Sequence, residues 1–253
     1  MALGLPLPKR VFGHGWILFG GDKLSKSKES GVKECVDPRV LVPRYSADAV
    51  RYILYKEIPF GSDGNYSTDV FLSRINSDLS NNYGNLVSRT FSMVKKYFNS
   101  EIPEYIEPTV YDDIEFKNNV LKYAKEVFEN MKNFDVTKAV TSVFDIFTEA
   151  NTYIQKVQPW AIAKDENAGD KLKVVMRELL EAIRIGTELF QSFAPICTAK
   201  VLNALGLNPD DDFSDIDNFK GLTDGEKLKE LEILFPRLDI AKETEELREI
   251  ANK

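Results

Sequence analysis

The residues from Gly21 to Ser27 read GDKLSKS, so that Lys23, Ser25, Lys26 and Ser27 place ammonium groups and hydroxyls side by side in one short polar stretch. The run RVFGHGWILF (Arg10–Phe19) precedes it, and glycines at 20, 21 and 31 surround it. Taken alone, such a stretch is a solvated charge run. Its alternative reading, a cationic loop that closes over an anion, depends on what accompanies it further along the chain. Asn85 and Arg89 stand four apart, hence on one face of a helix. Trp160 follows Pro159 where a long apolar stripe ends.

These residues need elements to hold them. The 253-residue chain is 43% hydrophobic and 29% charged, which suits a globular protein with a sizeable core, as one large domain or two small ones. No apolar run approaches the ~20 residues that span a bilayer, and the first residues lack the basic-then-apolar plan of a secretion signal. A cytoplasmic location with no membrane partner is therefore expected. Cys35 and Cys197 are the only cysteines and His14 the only histidine, so a four-ligand Cys/His zinc site cannot be assembled, and no metal site is expected in the chain. The two cysteines read as reduced thiols. The net charge of −7 argues mildly against a nucleic-acid partner, and no DNA partner is expected. Local basic patches remain compatible with it, because salt limits the reach of distant charges to about 10 Å.

Arg10–Phe19, enriched in β-branched and aromatic residues between glycines, reads as a strand or short hairpin. Pro38 and Pro43 mark an irregular stretch. Ser46 then caps a helix through about Glu57, with Asp48 in its first turn where the helix dipole favours an anion. From about Ser67 the pattern is helical. Val136, Val140, Val143, Phe147, Ala150, Ile154 and Val157 form one stripe at helical period. Val120 to Met131 repeat this pattern before it, and Leu172 to Phe193 after it, the latter helix bending near Pro195. Asn208–Thr223 reads as a surface loop and Glu243–Asn252 as a closing charged helix. Amphipathic helices on short linkers make an antiparallel bundle. Residues 1–66 supply too little to bury themselves and look like the end of something larger, so a boundary is expected between 66 and 67.

HGWILFGGDKLSKS (His14–Ser27), followed by RYILYKEIPFGSDGNYS (Arg51–Ser67), resembles the methionyl-tRNA synthetases, which are class I aminoacyl-tRNA synthetases. The likeness continues through NNYGNLVSR (Asn81–Arg89), VQPWAIAK (Val157–Lys164) and LFPRLD (Leu234–Asp239), nearly the whole chain. The lysine–serine loop alone says only class I. The Pro-Phe-Gly-Ser-Asp stretch and the later Pro-Trp point to methionine rather than to leucine, isoleucine or valine. Leu24 stands where the family usually has Met, a volume-conserving swap. KESGVKECVDP runs about four residues longer than the family's usual sequence there, which leaves contacts beyond Ser27 open.

The resemblance implies a mainly α chain: the end of a class I nucleotide-binding catalytic domain (strand, mobile Lys-Ser loop, helix; residues 1–66), then an antiparallel helical-bundle anticodon-binding domain (67–253). It implies a methionine–tRNA ligase that uses ATP with Mg2+ and acts on tRNA(Met). Lys23 and Lys26 become the catalytic residues, bearing with Ser25 and Ser27 on the ATP phosphates. Ammonium groups on a closing loop favour the charge that builds on departing pyrophosphate over the ground state. Asn85, Arg89 and Trp160 become the anticodon contacts, through hydrogen bonds to base edges and through stacking. Lys95, Lys96, Lys156 and Lys164 are candidate phosphate contacts or ordinary surface lysines. His14, in a Gly-His-Gly setting, is a structural residue or a nucleotide-side contact.

The family's His-Ile-Gly-His type motif does not occur in the chain. Its methionine pocket and zinc-bearing insertion belong to the same upstream region. The chain therefore reads as a C-terminal portion, inactive by itself. The alternatives are another class I synthetase, for leucine, isoleucine or valine, a non-catalytic tRNA-binding module, or a helical scaffold with no RNA role.

Overall fold

The computed structural model describes residues 7, 11–19, 22–23, 37–166, 168–209 and 215–252. Ile17–Phe19 form β1, Asp22–Lys23 β2 and Gly64–Tyr66 β3, in the order β2-β1-β3. β1 is antiparallel to β2 (Leu18 opposite Lys23) and parallel to β3 (Ile17 opposite Gly64). Of the described residues 11–19 of the run Arg10–Phe19, Ile17–Phe19 become strand.

Parallel strands need a crossover between them, and two helices supply it: α1 (Pro38–Tyr45) and α2 (Ala47–Glu57). The prolines at 38 and 43 predict an irregular stretch, and Pro38–Tyr45 is instead helical. Pro38 occupies the first helical turn, where a missing N–H costs nothing, and the Asp37 side chain caps the Arg39 N–H at 2.9 Å. Ser46 caps α2 as expected, accepting from the Ala49 N–H at 3.2 Å. Leu41, Ala49, Tyr52 and Ile53 from α1 and α2 enter the same core as the helices that follow.

α3 (Thr68–Arg74), a π-helical stretch (Ile75–Gly84) and α4 (Asn85–Phe98) form one continuous rod. α5 (Tyr111–Lys132) and α6 (Val136–Val157) are an antiparallel pair, pinned by Tyr153 to Asp113 at 2.6 Å near one end and by Asn130 to Ser142 at 3.4 Å near the other. The apolar stripe of α6 is buried as its spacing required, except at its end, where Val157 is half-buried. α7 (Pro159–Ile162) is a single turn. α8 (Lys171–Phe190) crosses α6 antiparallel. Gly186 allows the contact, since a Cβ there would come within 2.4 Å of the Phe147 ring.

Two expectations changed beyond α1, and Asp48, in the first turn of α2 as expected, takes on a further role. Instead of bending near Pro195, the chain ends α8 at Phe190 and starts α9 (Pro195–Ala204), with Pro195 in the first turn. Asp48 is 1% exposed and caps this other helix, accepting from the Ile196 N–H at 3.3 Å and the Cys197 N–H at 2.5 Å. The segment after Asn208 is no mere surface loop, because Ile216, Phe219 and Leu222 are buried. The reason lies on α8, where Arg177, Glu181 and Arg184 are buried. The two guanidinium groups need acceptors and find, besides Glu181, the carbonyls of Pro103, Leu222, Asp215 and Asn218. α10 (Ile240–Ala251) closes the chain, capped by Asp239 and tied to α1 by ion pairs from Arg44 to Glu243 and Glu246.

Candidate nucleic-acid interface

The two stretches that framed the lysine–serine loop in sequence meet in space. The Trp16 N–H donates to Asp63 at 2.7 Å, and the Gly64 N–H to the Trp16 carbonyl at 3.0 Å. Gly15 lies so close to Ser62 that a Cβ would come within 1.9 Å of its carbonyl oxygen. Phe12 stacks between Phe60 at 5.1 Å and Phe134 at 5.6 Å. The GSD segment thus holds the entrance to β1, and β1 leads into β2. Lys23 is placed by its backbone as the last residue of β2, while Ser25, Lys26 and Ser27 lie outside the described residues. His14 is exposed, with Nδ1 2.8 Å from the Gly15 carbonyl oxygen.

The Arg51–Tyr52 pair of the quoted motif joins α2 to the bundle. Arg51 donates to the carbonyls of Phe193 and Ser192, each at 3.0 Å, and so satisfies backbone acceptors in the turn after α8. Tyr52 is fully buried and donates to Asp78 at 2.6 Å.

Asn85 and Arg89 both lie on the first turns of α4, Asn85 exposed and Arg89 half-buried. Arg89 forms no hydrogen bond or ion pair among the described residues. Trp160 is on α7, half-buried against the core, with its indole N–H unpaired among the described residues. What relates the two places is the packing of the π-helix on α6. Tyr52 donates to Asp78 at 2.6 Å while its ring packs on Phe144 at 4.6 Å, and Lys56, one turn on, donates to Thr141 at 2.9 Å, so Asp78 lies beside the first half of α6. Further along both helices, Asn82 donates to Thr148 at 2.9 Å, and Asn151 donates to the Asn82 side chain at 2.8 Å. The two helices therefore run in the same direction. From that contact Arg89 is about 10 Å up α4, and the end of α6 about 9 Å up its own axis, at ~1.5 Å per residue. Asn85, Arg89 and Trp160 consequently belong to one pole of the bundle.

Of the candidate phosphate lysines, Lys156 is held by Asp112 at 2.9 Å and Glu115 at 3.6 Å, which raises its pKa. Lys95 meets Glu230 at 3.3 Å with both side chains exposed, a weak pair. Lys96 and Lys164 are exposed and have no ion pair among the described residues. No helix among the described residues is long and apolar enough to cross a membrane.

The sequence reading gave no role to the segment Leu228–Arg237. It lies along the rod opposite Asn85, leaving a groove of about 910 Å³ between them. The stretch LFPRLD signalled it, but only pairing across the fold shows what it faces.

Residues 106–251 match the family described as the anticodon binding domain of methionyl tRNA ligase. The chain belongs to the methionyl-tRNA ligase family. Residues 1–91 match the family described as tRNA synthetases class I (M). The methionine–tRNA ligase of Caldanaerobacter subterraneus subsp. tengcongensis is 41% identical over 245 residues, covering 96% of this chain and 37% of that protein. The methionine–tRNA ligase of Clostridium tetani is 41% identical over 250 residues, covering 99% and 38%. Mycobacterium tuberculosis methionyl-tRNA synthetase, solved in complex with methionyl-adenylate, superposes with a TM-score of 0.81 at 32% identity, covering 92% of this chain and 45% of that one. The chain thus spans 37–38% of the length of these two curated methionine–tRNA ligases.

Proposed function

We propose that the chain is the part of a methionine–tRNA ligase that reads the CAU anticodon of tRNA(Met) and carries the lysine–serine loop of the ATP site. The complete enzyme would convert ATP, methionine and tRNA(Met) to methionyl-tRNA, AMP and pyrophosphate in the cytoplasm. Mg2+ would accompany the nucleotide, and the methionine pocket would lie outside this chain. In this reading residues 1–66 end the catalytic domain and residues 67–253 bind the anticodon. Lys23 and Lys26 bear on the ATP phosphates, Lys26 foremost, and Ser25 and Ser27 shape the loop or add hydrogen bonds.

The reading rests on family membership and, within the structure, on one observation. Arg89 is a half-buried guanidinium with no partner among the described residues, at the level of the helix end that presents Trp160. A planar donor fork beside an indole suits an unstacked base, one group bonding its edge and the other covering its face. Asn85, one turn before Arg89, adds a neutral donor and acceptor.

Titration of the full chain with a fluorescent stem-loop RNA bearing CAU tests this. Arg89→Ala is expected to weaken binding about ten- to a hundredfold, the loss of a charge-assisted hydrogen bond and a stacking plane, with an unchanged melting temperature. Unchanged affinity would remove Arg89, and with it the proposed reading pole.

A further inference from the structure

Gln158 is the only residue between α6 and α7. Its N–H closes α6 by donating to the Ile154 carbonyl at 3.0 Å. Its own carbonyl opens α7, accepting from the Ala161 N–H at 2.8 Å and the Ile162 N–H at 3.3 Å. To do both it takes φ 49° and ψ 68°, in the left-handed region. That region brings the Cβ of any residue other than glycine too close to the following carbonyl oxygen. Proline adds to the strain, because its ring crowds the backbone of the residue before it. Among the described residues, Ser46, Asn99, Ser100, Phe134 and Gln158 have a positive φ without being glycine, and of these only Gln158 precedes a proline.

The strained turn sets where Trp160 stands. Pro159 and Ile162 are buried and anchor the single turn α7 to the bundle, with Trp160 between them half-buried against the core. A right-handed Gln158 would carry the chain on along the axis of α6 and take Trp160 away from this place. The Gln158 side chain is exposed and forms no hydrogen bond among the described residues, so the residue acts here through its backbone. Residues held in sparsely populated backbone regions cluster at binding sites, where the surrounding structure over-determines them.

We propose that Gln158 is a positioning residue for RNA recognition, its left-handed turn aiming the Trp160 indole so that it can cover an unstacked base. The proposal rests on the anticodon reading above and names the backbone feature that makes Trp160 a platform instead of a core plug. Tolerance of the left-handed region separates this role from any role of the amide. Glycine and asparagine visit that region readily, and a β-branched residue does so at the highest cost.

The test uses the CAU stem-loop and the full chain carrying Trp16→Phe, which leaves Trp160 as the only indole. Gln158→Val is expected to shift Trp160 emission in the free protein and to weaken binding per folded molecule about tenfold, part of what one stacked base supplies. Gln158→Gly and Gln158→Asn should keep wild-type emission and an affinity within about twofold of wild type. A merely structural role would change stability and leave emission and affinity per folded molecule where they were, so that result for Gln158→Val overturns the proposal. If Gln158→Gly and Gln158→Asn bind as weakly as Gln158→Val, the lost amide is responsible and the proposal is overturned as well. Trp160→Ala in the same assay, with a label on the RNA, tests the underlying reading. If it binds weakly while Gln158→Val binds as wild type, only the positioning role fails. If it binds as tightly as wild type, the stacking reading fails and the positioning role with it.

Discussion

The side-chain amide of Asn151 donates to both the main-chain carbonyl of Asn82, at 3.0 Å, and its side-chain oxygen, at 2.8 Å. It also donates to the carbonyl of Phe147 on its own helix, at 2.9 Å. One amide thereby fastens the π-helix to α6 just below the pole where Asn85, Arg89 and Trp160 emerge. Wide-turn helical segments recur at functional sites, and this one carries its lock to the neighbouring helix. Asn151→Ala is expected to destabilise the chain by about 1–3 kcal/mol, the cost of unpaired, partly buried acceptors. It should also weaken stem-loop binding per folded molecule without touching any RNA contact. Chemical denaturation and RNA titration on the same samples check the pairing of effects.

Trp160 contributes to both fold and ligand, since it packs on the core yet keeps part of its surface in solvent. Trp160→Ala should weaken CAU stem-loop binding by roughly ten- to a hundredfold, the ~1–3 kcal/mol of one stacked base. Thermal unfolding should show a smaller loss than the ~3–5 kcal/mol of a fully buried Trp. A full-size stability loss with unchanged affinity per folded molecule would return the residue to the core.

Glu178 on α8 is 1% exposed, and neither carboxylate oxygen has a hydrogen-bond partner among the described residues. Burial pushes its pKa from 4.5 up to about 8, against the opposing pull of Lys117 and with help from Asp113, Glu181 and Glu107. A raised acid binds more protons folded than unfolded, so its contribution is complete below pH 4.5 and is lost as pH rises towards 8. Glu178→Gln should therefore stabilise the chain at pH 8 by on the order of a few kcal/mol and flatten the stability profile between pH 5 and 8. Urea unfolding across that range decides it. A wild-type profile that rises with pH while the variant's matches it would show the group ionised in the fold.

Cys197 is buried in the first turn of α9, and burial, reinforced by the nearby Asp48 carboxylate, raises its thiol pKa well above the ordinary value. Reactivity follows the thiolate. Alkylation at pH 8 should therefore be slow in the folded chain and become fast only on denaturation. Asp48→Ala removes the acceptor for the Ile196 and Cys197 N–H groups and is expected to cost about 1–3 kcal/mol. Mass-spectrometric labelling followed over hours reads the first effect, and thermal unfolding the second.

What the sequence made legible was periodic or local. The stripe on α6, the Ser46 cap and the closing helix follow from spacing and side-chain chemistry alone. α1 was hidden because Pro38 and Pro43 read as breakers, although one lies in the first turn and the other near the end of a short helix. The buried charges of α8 were hidden because Arg177, Glu181 and Arg184 look like a solvated face until the loops that accept their hydrogen bonds are placed. Asp48 looked like a dipole group of its own helix and caps another, a pairing across the fold that no local pattern announces. In the candidate interface, Asn85, Arg89 and Trp160 are proposed on the resemblance. Their common pole depended on Asn82 and Asn151, and the Leu228–Arg237 segment had no assigned part, because both relations join segments remote in sequence.

The most direct measurement compares dissociation constants of the full chain for stem-loops that differ only in the anticodon, at one fixed salt concentration. CAU should bind tightest, and replacing any one of its bases should cost about 1–3 kcal/mol, tenfold or more for a base held by two hydrogen bonds. Equal affinity for all anticodons would contradict the proposed reading pole and leave only charge-driven RNA binding; no measurable binding would contradict the RNA role of this chain altogether.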